Sequence, residues 1–150
     1  MKARAVAKAT RTLALADDSG IEVDALGGRP GVLSARYGGE GLHDEDRWRQ
    51  MLRELRGVPA PQRTARYRCV VALCFPNGRE VTTEGVVDGL ILDTSRGDGG
   101  FGYDPIFYFP PLGATFAEVT AEAKHAVSHR GQAMARARHI LAQWATEDPR

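Results

Sequence analysis

Two adjacent carboxylates, Asp17 and Asp18, stand between two apolar runs in the segment ALADDSGIEVDAL, residues 14–26. In one interpretation they cap or solvate a turn at Ser19–Gly20, as aspartates often do. In the other they bind Mg²⁺, which takes one or two carboxylates, keeps several waters and completes its shell with phosphate oxygens. An acid in a turn at a strand end could also orient a water for attack on phosphorus. The pair alone leaves both interpretations open.

A glycine-rich segment, DGGFGYDP at residues 98–105, carries the second group of candidate residues. It can be a structural turn whose aromatic side chains belong to the core. Glycines, however, also allow the backbone to approach a ligand closely. Phe101 lies between Gly100 and Gly102 and has no bulky neighbours in sequence, so its ring could stack on a nucleobase.

A cationic segment, KHAVSHRGQA at residues 124–133, carries the third group. Ser128 is a typical helix N-cap residue, which places His129 and Arg130 in the first turn of a helix. Positive side chains there oppose the helix dipole at a small cost in stability. An ordinary cationic surface is one interpretation. A ligand that faces Lys124, His129 and Arg130 is the other, because it accounts for that cost.

The apolar periodicity predicts three helices that position these segments. Residues 2–12 have the spacing of a helix on which Ala3, Val6 and Ala7 share one face. Residues 44–55 form an amphipathic helix that Asp44 can cap. The last helix is predicted to begin near Ser128 and end near Trp144. The expected buried stripes are Trp48, Met51, Leu52 and Leu55 in the middle helix and Ala137, Ile140, Leu141 and Trp144 in the last.

Strand-forming residues predict a sheet built around a hairpin. Two β-rich runs, from residue 65 to 75 and from residue 80 to 92, flank Asn77–Gly78, a strong hairpin-turn signal, and Gly85 is a candidate bulge. Shorter strands are expected on either side of the acidic turn and after the glycine-rich segment. The order of elements predicts a single α/β domain over residues 1–150, with a mixed, elongated sheet flanked by helices.

Composition limits the classes of partner. The chain has 150 residues, a net charge of +1 and 43% hydrophobic residues, which is typical of a globular domain without bulk-charge affinity for nucleic acid. Mean hydropathy is −0.33 and no apolar run is long enough for a membrane span. Cys69 and Cys74 are five positions apart and point to opposite faces of a strand, which disfavours a disulfide. We therefore expect no membrane or nucleic-acid partner and a reducing, cytoplasmic setting.

The three segments occur in an order that resembles the inosine triphosphate pyrophosphatase family. The matching residues are ADDSG, EVDALGG and PGVLSARYGG, then DGGFGYDP, and finally SHRGQA. The resemblance extends from Lys2 to about Leu141. It implies an inosine triphosphate pyrophosphatase-like fold, Mg²⁺ as the cofactor, and hydrolysis of XTP, ITP or dITP to the monophosphate and pyrophosphate. It also implies a homodimer.

The same resemblance assigns residue roles. Asp18 matches the catalytic acid that binds metal and activates water, and Asp17 is a partner for the metal. The implied substrate-binding residues are Lys2, Ser19, Phe101, Gly102, Tyr103, Asp104, Lys124, His129 and Arg130. Arg130 carries only donors, so it can pair with O6 of hypoxanthine or xanthine but not with the amino group of adenine. Guanine also carries O6, and its rejection needs a further element that the sequence does not locate.

The sequence departs from the family pattern at its beginning. The family has a first strand, a phosphate-binding turn and a metal-binding Glu before the segment that matches Met1-Lys2-Ala3-Arg4, so we expect the first strand, the turn and the Glu to be missing. This leaves an alternative function, a nucleotide-binding or dimerising remnant without hydrolytic activity. A Nudix hydrolase is disfavoured because no Glu-rich Nudix helix is found.

Overall fold

The computed structural model describes residues 2–147 and contains a single six-stranded sheet with four α-helices around it. The helices are α1 (Lys2–Thr10), α2 (Asp44–Glu54), α3 (Ala121–Val127) and α4 (His129–Glu147). The strands are β1 (Ala14–Val23), β2 (Pro30–Gly31), β3 (Thr64–Cys74), β4 (Glu80–Ile91), β5 (Phe107–Phe109) and β6 (Ala114–Thr115), in the spatial order β2-β1-β3-β4-β5-β6. The expected α/β fold with a sheet flanked by helices is confirmed.

The expectation of a mixed sheet does not hold within residues 2–147, where every strand pairing is antiparallel. The hairpin of β3 and β4 is in register from Thr64↔Leu90 to Cys74↔Glu80, as its turn signal predicts. The connection from β1 to β3 includes the short strand β2 and begins and ends at the same end of the sheet, where Val23 stands opposite Ala65. Parallel pairing would need a crossover to the opposite end of the sheet, and this connection makes none.

The acidic pair lies in the middle of a strand, so the prediction of an acidic turn between two strands is wrong. All ten residues of β1 pair with β3, and Asp17 and Asp18 stand opposite Val71 and Val70. Pairing with β3, whose residues have a high β-propensity, outweighs the poor strand propensity of two adjacent aspartates. Both aspartates are exposed, so neither carboxylate has to be desolvated.

Helices α2 and α4 cover one face of the sheet largely as predicted. Met51 and Leu55 are fully buried, and Trp48 and Leu52 pack at the margin of the same cluster. On α4 the predicted stripe packs against the side chains of β3. The cap of α2 differs from the prediction, because His43 is the N-cap residue and Asp46 accepts from its backbone N–H.

Gly85 is not a bulge, since β3 and β4 remain in register on both sides of it. It is instead the point at which α4 approaches the sheet. A Cβ at Gly85 would overlap the backbone carbonyl of His129 and lie 2.8 Å from the backbone nitrogen of Ala133. Only glycine fits at position 85, because the backbone of α4, the helix that carries His129 and Arg130, lies directly against it.

The remaining elements follow their patterns with one exception. On α1, Ala3 and Ala7 are buried, but Val6 is 52% exposed and does not share their buried face. Cys69 and Cys74 are both buried and free, and they belong to different core clusters, as their odd spacing predicts. Among the helices of residues 2–147, none has the length and apolarity to cross a membrane.

Candidate active site

An open pocket of about 190 Å³ brings together most of the predicted site residues. It lies where β1, the glycine-rich segment, α3 and the start of α4 meet. The predicted residues that line it are Ser19, Phe101, Gly102, Tyr103, Asp104, Lys124, His129 and Arg130. The three sequence segments, more than a hundred residues apart at their extremes, thus form one site. The side chain of Lys2 is outside the described part of the structure.

Asp104 is the buried centre of this site, with only 1% of its surface exposed. Its carboxylate accepts a hydrogen bond from the Phe101 N–H at 3.0 Å and from the Tyr67 hydroxyl at 3.2 Å. It also forms an ion pair with the Lys124 ammonium. A buried carboxylate is tolerable only with such compensation. Asp104 therefore holds the Phe101 backbone and Lys124 in place.

Phe101 presents an exposed ring beside two cations. Its residue surface is 61% exposed. The Lys124 nitrogen lies 4.1 Å from the ring centroid, and the Arg130 guanidinium carbon lies 5.8 Å from it. An exposed aromatic ring normally costs hydrophobic free energy, so this placement favours a planar, electron-rich partner that stacks on the ring between cationic side chains.

Arg130 is oriented by Asp17. The Arg130 Nε donates to Asp17 Oδ2 at 2.9 Å. The bond to Asp17 uses Nε, so the donors on the two terminal nitrogens of the guanidinium remain available to a ligand. Asp17 thus lies on the side of β1 that faces Arg130 and the pocket.

Asp18 lies on the other face of β1, because successive side chains of a strand alternate. It lines a separate shallow groove with Glu22, Arg68 and Val70. Ser19 and Gly20 line both this groove and the larger pocket, so the two meet across β1. The structure therefore brings Asp18 next to the pocket but does not point it at Phe101 or Arg130.

Asp18 and Asp17 differ in how well they fit a Mg²⁺ ion. Within residues 2–147 no three potential side-chain ligands come together as a metal cluster. Asp18 is an exposed hard oxygen donor beside the groove, and Mg²⁺ sites with one protein carboxylate complete their shell with water and phosphate. Asp18 fits such a site. Asp17 fits it less well, because Arg130 already neutralises its charge.

His129 is buried and neutral at physiological pH. Burial lowers its pKa to about 4, and the positive charges of Arg130 and Lys124 act in the same direction. Its ring stacks on Tyr67, with centroids 4.6 Å apart and planes 8° apart. Neither its Nδ1 nor the Ser19 hydroxyl oxygen has a hydrogen-bond partner among the described residues, although both are buried. Such groups in a pocket wall are candidates for ligand contacts.

Several residues of the pocket wall were not predicted as site residues from the sequence. One is Ser34, whose backbone carbonyl accepts the hydroxyl of the predicted residue Tyr103 at 2.7 Å. Burial raises the pKa of Tyr103. Asp44, predicted as a helix cap, instead accepts the Gly102 N–H at 2.7 Å. Arg47 donates to three backbone carbonyls, in the loop that directly precedes α2, at residues 37, 39 and 42. Tyr67 could have been predicted, because it is one of the alternating residues of β3 that face the core. Ser34 could not, because a contact made from a loop leaves no periodic pattern in the sequence.

Comparison with known proteins gives concordant matches. Residues 1–140 match the Ham1 family. A dITP/XTP pyrophosphatase of Geobacter sulfurreducens is 55% identical over 134 residues, which cover 89% of this chain and 67% of that protein. One of Desulforamulus reducens is 54% identical, over 93% of this chain and 70% of its own length.

A solved structure agrees with the sequence matches. The Staphylococcus aureus Ham1 protein superimposes with a TM-score of 0.90 at 41% identity, over 95% of this chain and 73% of that one. The fold, the order of motifs and the identity of the relatives together confirm the resemblance to the inosine triphosphate pyrophosphatase family, and the chain belongs to the Ham1 family.

Proposed function

We propose that the chain hydrolyses deaminated purine nucleoside triphosphates, XTP, ITP and dITP, to the nucleoside monophosphate and pyrophosphate. The observation that carries this proposal is the convergence of an exposed aromatic ring, Phe101, with the cations Lys124 and Arg130 in one pocket. The relatives named dITP/XTP pyrophosphatase support the substrate class. Such an enzyme removes damaged nucleotides from the pool.

Base selection is assigned to Phe101 and Arg130. Phe101 stacks on the purine without distinguishing one base from another, because every base has a π-face. The terminal nitrogens of Arg130 are donors, so they pair with O6 of hypoxanthine or xanthine and are left unpaired opposite the amino group of adenine. Leaving such donors unpaired costs about 1–3 kcal/mol, which favours ITP and XTP over ATP.

The reacting end of the substrate is assigned to the other side of β1. The pocket and the Asp18 groove meet at Ser19 and Gly20. A nucleotide whose base lies in the pocket can therefore extend its phosphates past these residues toward Asp18. There the Asp18 carboxylate would orient the attacking water and accept its proton.

We also propose that Asp18 holds Mg²⁺. When bound, the metal neutralises charge on the phosphate oxygens. Asp17, which the family resemblance also offers for the metal, lies on the opposite face of β1 and pairs with Arg130 at 2.9 Å, so we assign it to Arg130 and not to the metal. In addition we propose a homodimer that acts on free nucleotides in the cytoplasm.

The function is tested by measuring pyrophosphate release from ITP, XTP, dITP, ATP and GTP, with Mg²⁺ and with excess EDTA. We expect release from the deaminated substrates that stops with EDTA. Asp18→Asn should abolish turnover while IMP binding, measured by calorimetry, persists. Turnover of Asp18→Asn within a few-fold of the parent would reject Asp18 as the catalytic acid.

The same measurements distinguish the alternative, a nucleotide-binding or dimerising remnant. Its specific support is that Asp18 faces away from the pocket and lines a separate groove. A remnant would bind IMP through Phe101 and Arg130 but release no pyrophosphate. Light scattering of the same preparation gives its oligomeric state.

A further inference from the structure

Tyr67, on β3, contacts the buried side of the pocket through both its hydroxyl and its ring. The hydroxyl donates to Asp104 Oδ1 at 3.2 Å. The ring lies parallel to the His129 imidazole at 4.6 Å. Tyr67 is thus joined to the glycine-rich segment and to the start of α4, two elements that carry residues of the proposed site.

The hydroxyl of Tyr67 acts on a carboxylate with two other functional contacts. Asp104 also accepts the Phe101 N–H at 3.0 Å and pairs with Lys124. Burial and the charge of Asp104 raise the pKa of Tyr67 well above its ordinary value. The hydroxyl therefore stays protonated, and remains a donor to Asp104, over the working pH range.

Packing alone does not require a hydroxyl at this position. The neighbouring core rings, Phe107 and Phe116, contact Tyr67 at centroid distances of 4.6 and 6.1 Å and carry no polar atom. A phenylalanine would make the same ring contacts, including the one with His129. A buried hydroxyl is stable only where it finds a partner, and here that partner is the carboxylate that orders Phe101 and Lys124.

We infer that Tyr67 is a positioning residue for base recognition: its hydroxyl holds Asp104, and through Asp104 it fixes the backbone of Phe101 and the ammonium of Lys124. This role rests on the proposed function, in which Phe101 stacks on the purine. It adds a residue of β3 to a site whose other residues come from β1, the glycine-rich segment, α3 and α4. Tyr67 itself need not touch the substrate.

The test compares Tyr67→Phe with Tyr37→Phe. Tyr37 is the matched control because it is also buried and donates its hydroxyl to a carboxylate, Glu54 Oε1 at 2.6 Å, but it does not line the pocket. Two quantities are measured for each variant. One is hydrogen exchange of the Phe101 amide, which needs no turnover, and the other is the pair of constants kcat and KM for ITP.

We expect Tyr67→Phe to accelerate exchange of the Phe101 amide about tenfold, the change that a hydrogen bond to an ionised acceptor typically contributes. KM for ITP should rise by a similar factor with little change in kcat, because the loop is loosened while Asp18 is untouched. Tyr37→Phe should change neither quantity, although both variants lower the melting temperature.

Two results would overturn the inference. One is an unchanged exchange rate at Phe101 in Tyr67→Phe, and the other is equal acceleration in both variants, which would show only a general loss of stability. A parent protein without pyrophosphate release would reject the proposed function. The exchange rate of the Phe101 amide would still decide whether Tyr67 holds the loop.

Discussion

Arg130 on α4 and Asp17 on β1 form an ion pair with 2.9 Å between Nε and Oδ2. Both side chains are partly exposed, at 44% and 36%. The pair therefore contributes little to global stability, since solvent screens it. Its consequence is orientation: the bond at Nε restricts the rotation of a guanidinium that lines the pocket.

Asp17→Asn should weaken this orientation without removing either side chain. An asparagine keeps the shape but loses the charge, and exposed pairs are worth about 0.2–1 kcal/mol. We expect the ratio of kcat/KM for ITP over ATP to fall about two- to fivefold, while thermal stability stays close to that of the parent. An unchanged ratio would show that Asp17 does not orient the base-reading arginine.

Arg130→Ala removes the donors that distinguish O6 from an amino group. The ratio of kcat/KM for ITP over ATP should fall by about 10- to 100-fold, the range expected for one or two unsatisfied donors. Arg136→Ala, on the same helix but outside the pocket, is the matched control. If discrimination survives in Arg130→Ala, another residue reads the purine 6-position.

Phe101→Ala removes the stacking surface. Because stacking is worth about 1–3 kcal/mol per base and does not depend on the base, KM for ITP and for ATP should rise together. The ratio between the two substrates should stay near the parent value. Phe101→Tyr should restore KM, since it restores the ring. A selective loss for ITP alone would contradict the assignment of Phe101 to stacking.

The motifs predicted most of the pocket because short segments supply it. Phe101 to Asp104 come from one segment, and His129 and Arg130 directly follow the N-cap Ser128, whose hydroxyl accepts the Gly131 N–H at 3.0 Å. Local chemistry of this kind is visible in sequence. The partners that hold these residues, such as Tyr67 and Asp44, are distant in sequence and are brought to the site only by the fold.

The strand β1 shows the opposite situation. Adjacent aspartates followed by Ser19–Gly20 have the local propensity of a turn. The long ladder with β3 overrides that propensity, and the alternation of the strand then sends Asp17 and Asp18 to opposite faces. Local sequence could not predict this separation, because it depends on the partner strand.

Gly85→Ala should destabilise the protein from outside the pocket. The added Cβ would overlap the His129 carbonyl oxygen, a backbone atom that cannot rotate away. Overpacking of this kind typically costs about 1–3 kcal/mol, and the start of α4 should shift with it. Chemical denaturation measures the cost. Gly78→Ala, where no atom lies within 4 Å of an added Cβ, controls for glycine replacement, although its positive φ of 87° adds local strain. Equal losses in the two variants would contradict close helix–sheet packing at Gly85.

His129 should make stability depend on pH in a defined window. Burial, assisted by Arg130 and Lys124 and opposed by Asp17, lowers its folded-state pKa to about 4, from 6.5 in the unfolded chain. Between these values the unfolded state binds more protons than the folded state, so the stabilising contribution is complete above pH 6.5 and is lost as pH falls toward 4.

The measurement is the free energy of unfolding at several pH values for the parent and for His129→Gln. Glutamine does not titrate, so its curve should be flatter between pH 6.5 and 4, by up to about 1.4 kcal/mol per pH unit. The carboxylates are the same in both proteins, so their contribution cancels in the difference between the two curves. NMR titration of the imidazole proton that disappears in His129→Gln gives the pKa directly. A value near 6.5 would show that the ring is solvated and would contradict a buried, neutral His129 stacked on Tyr67.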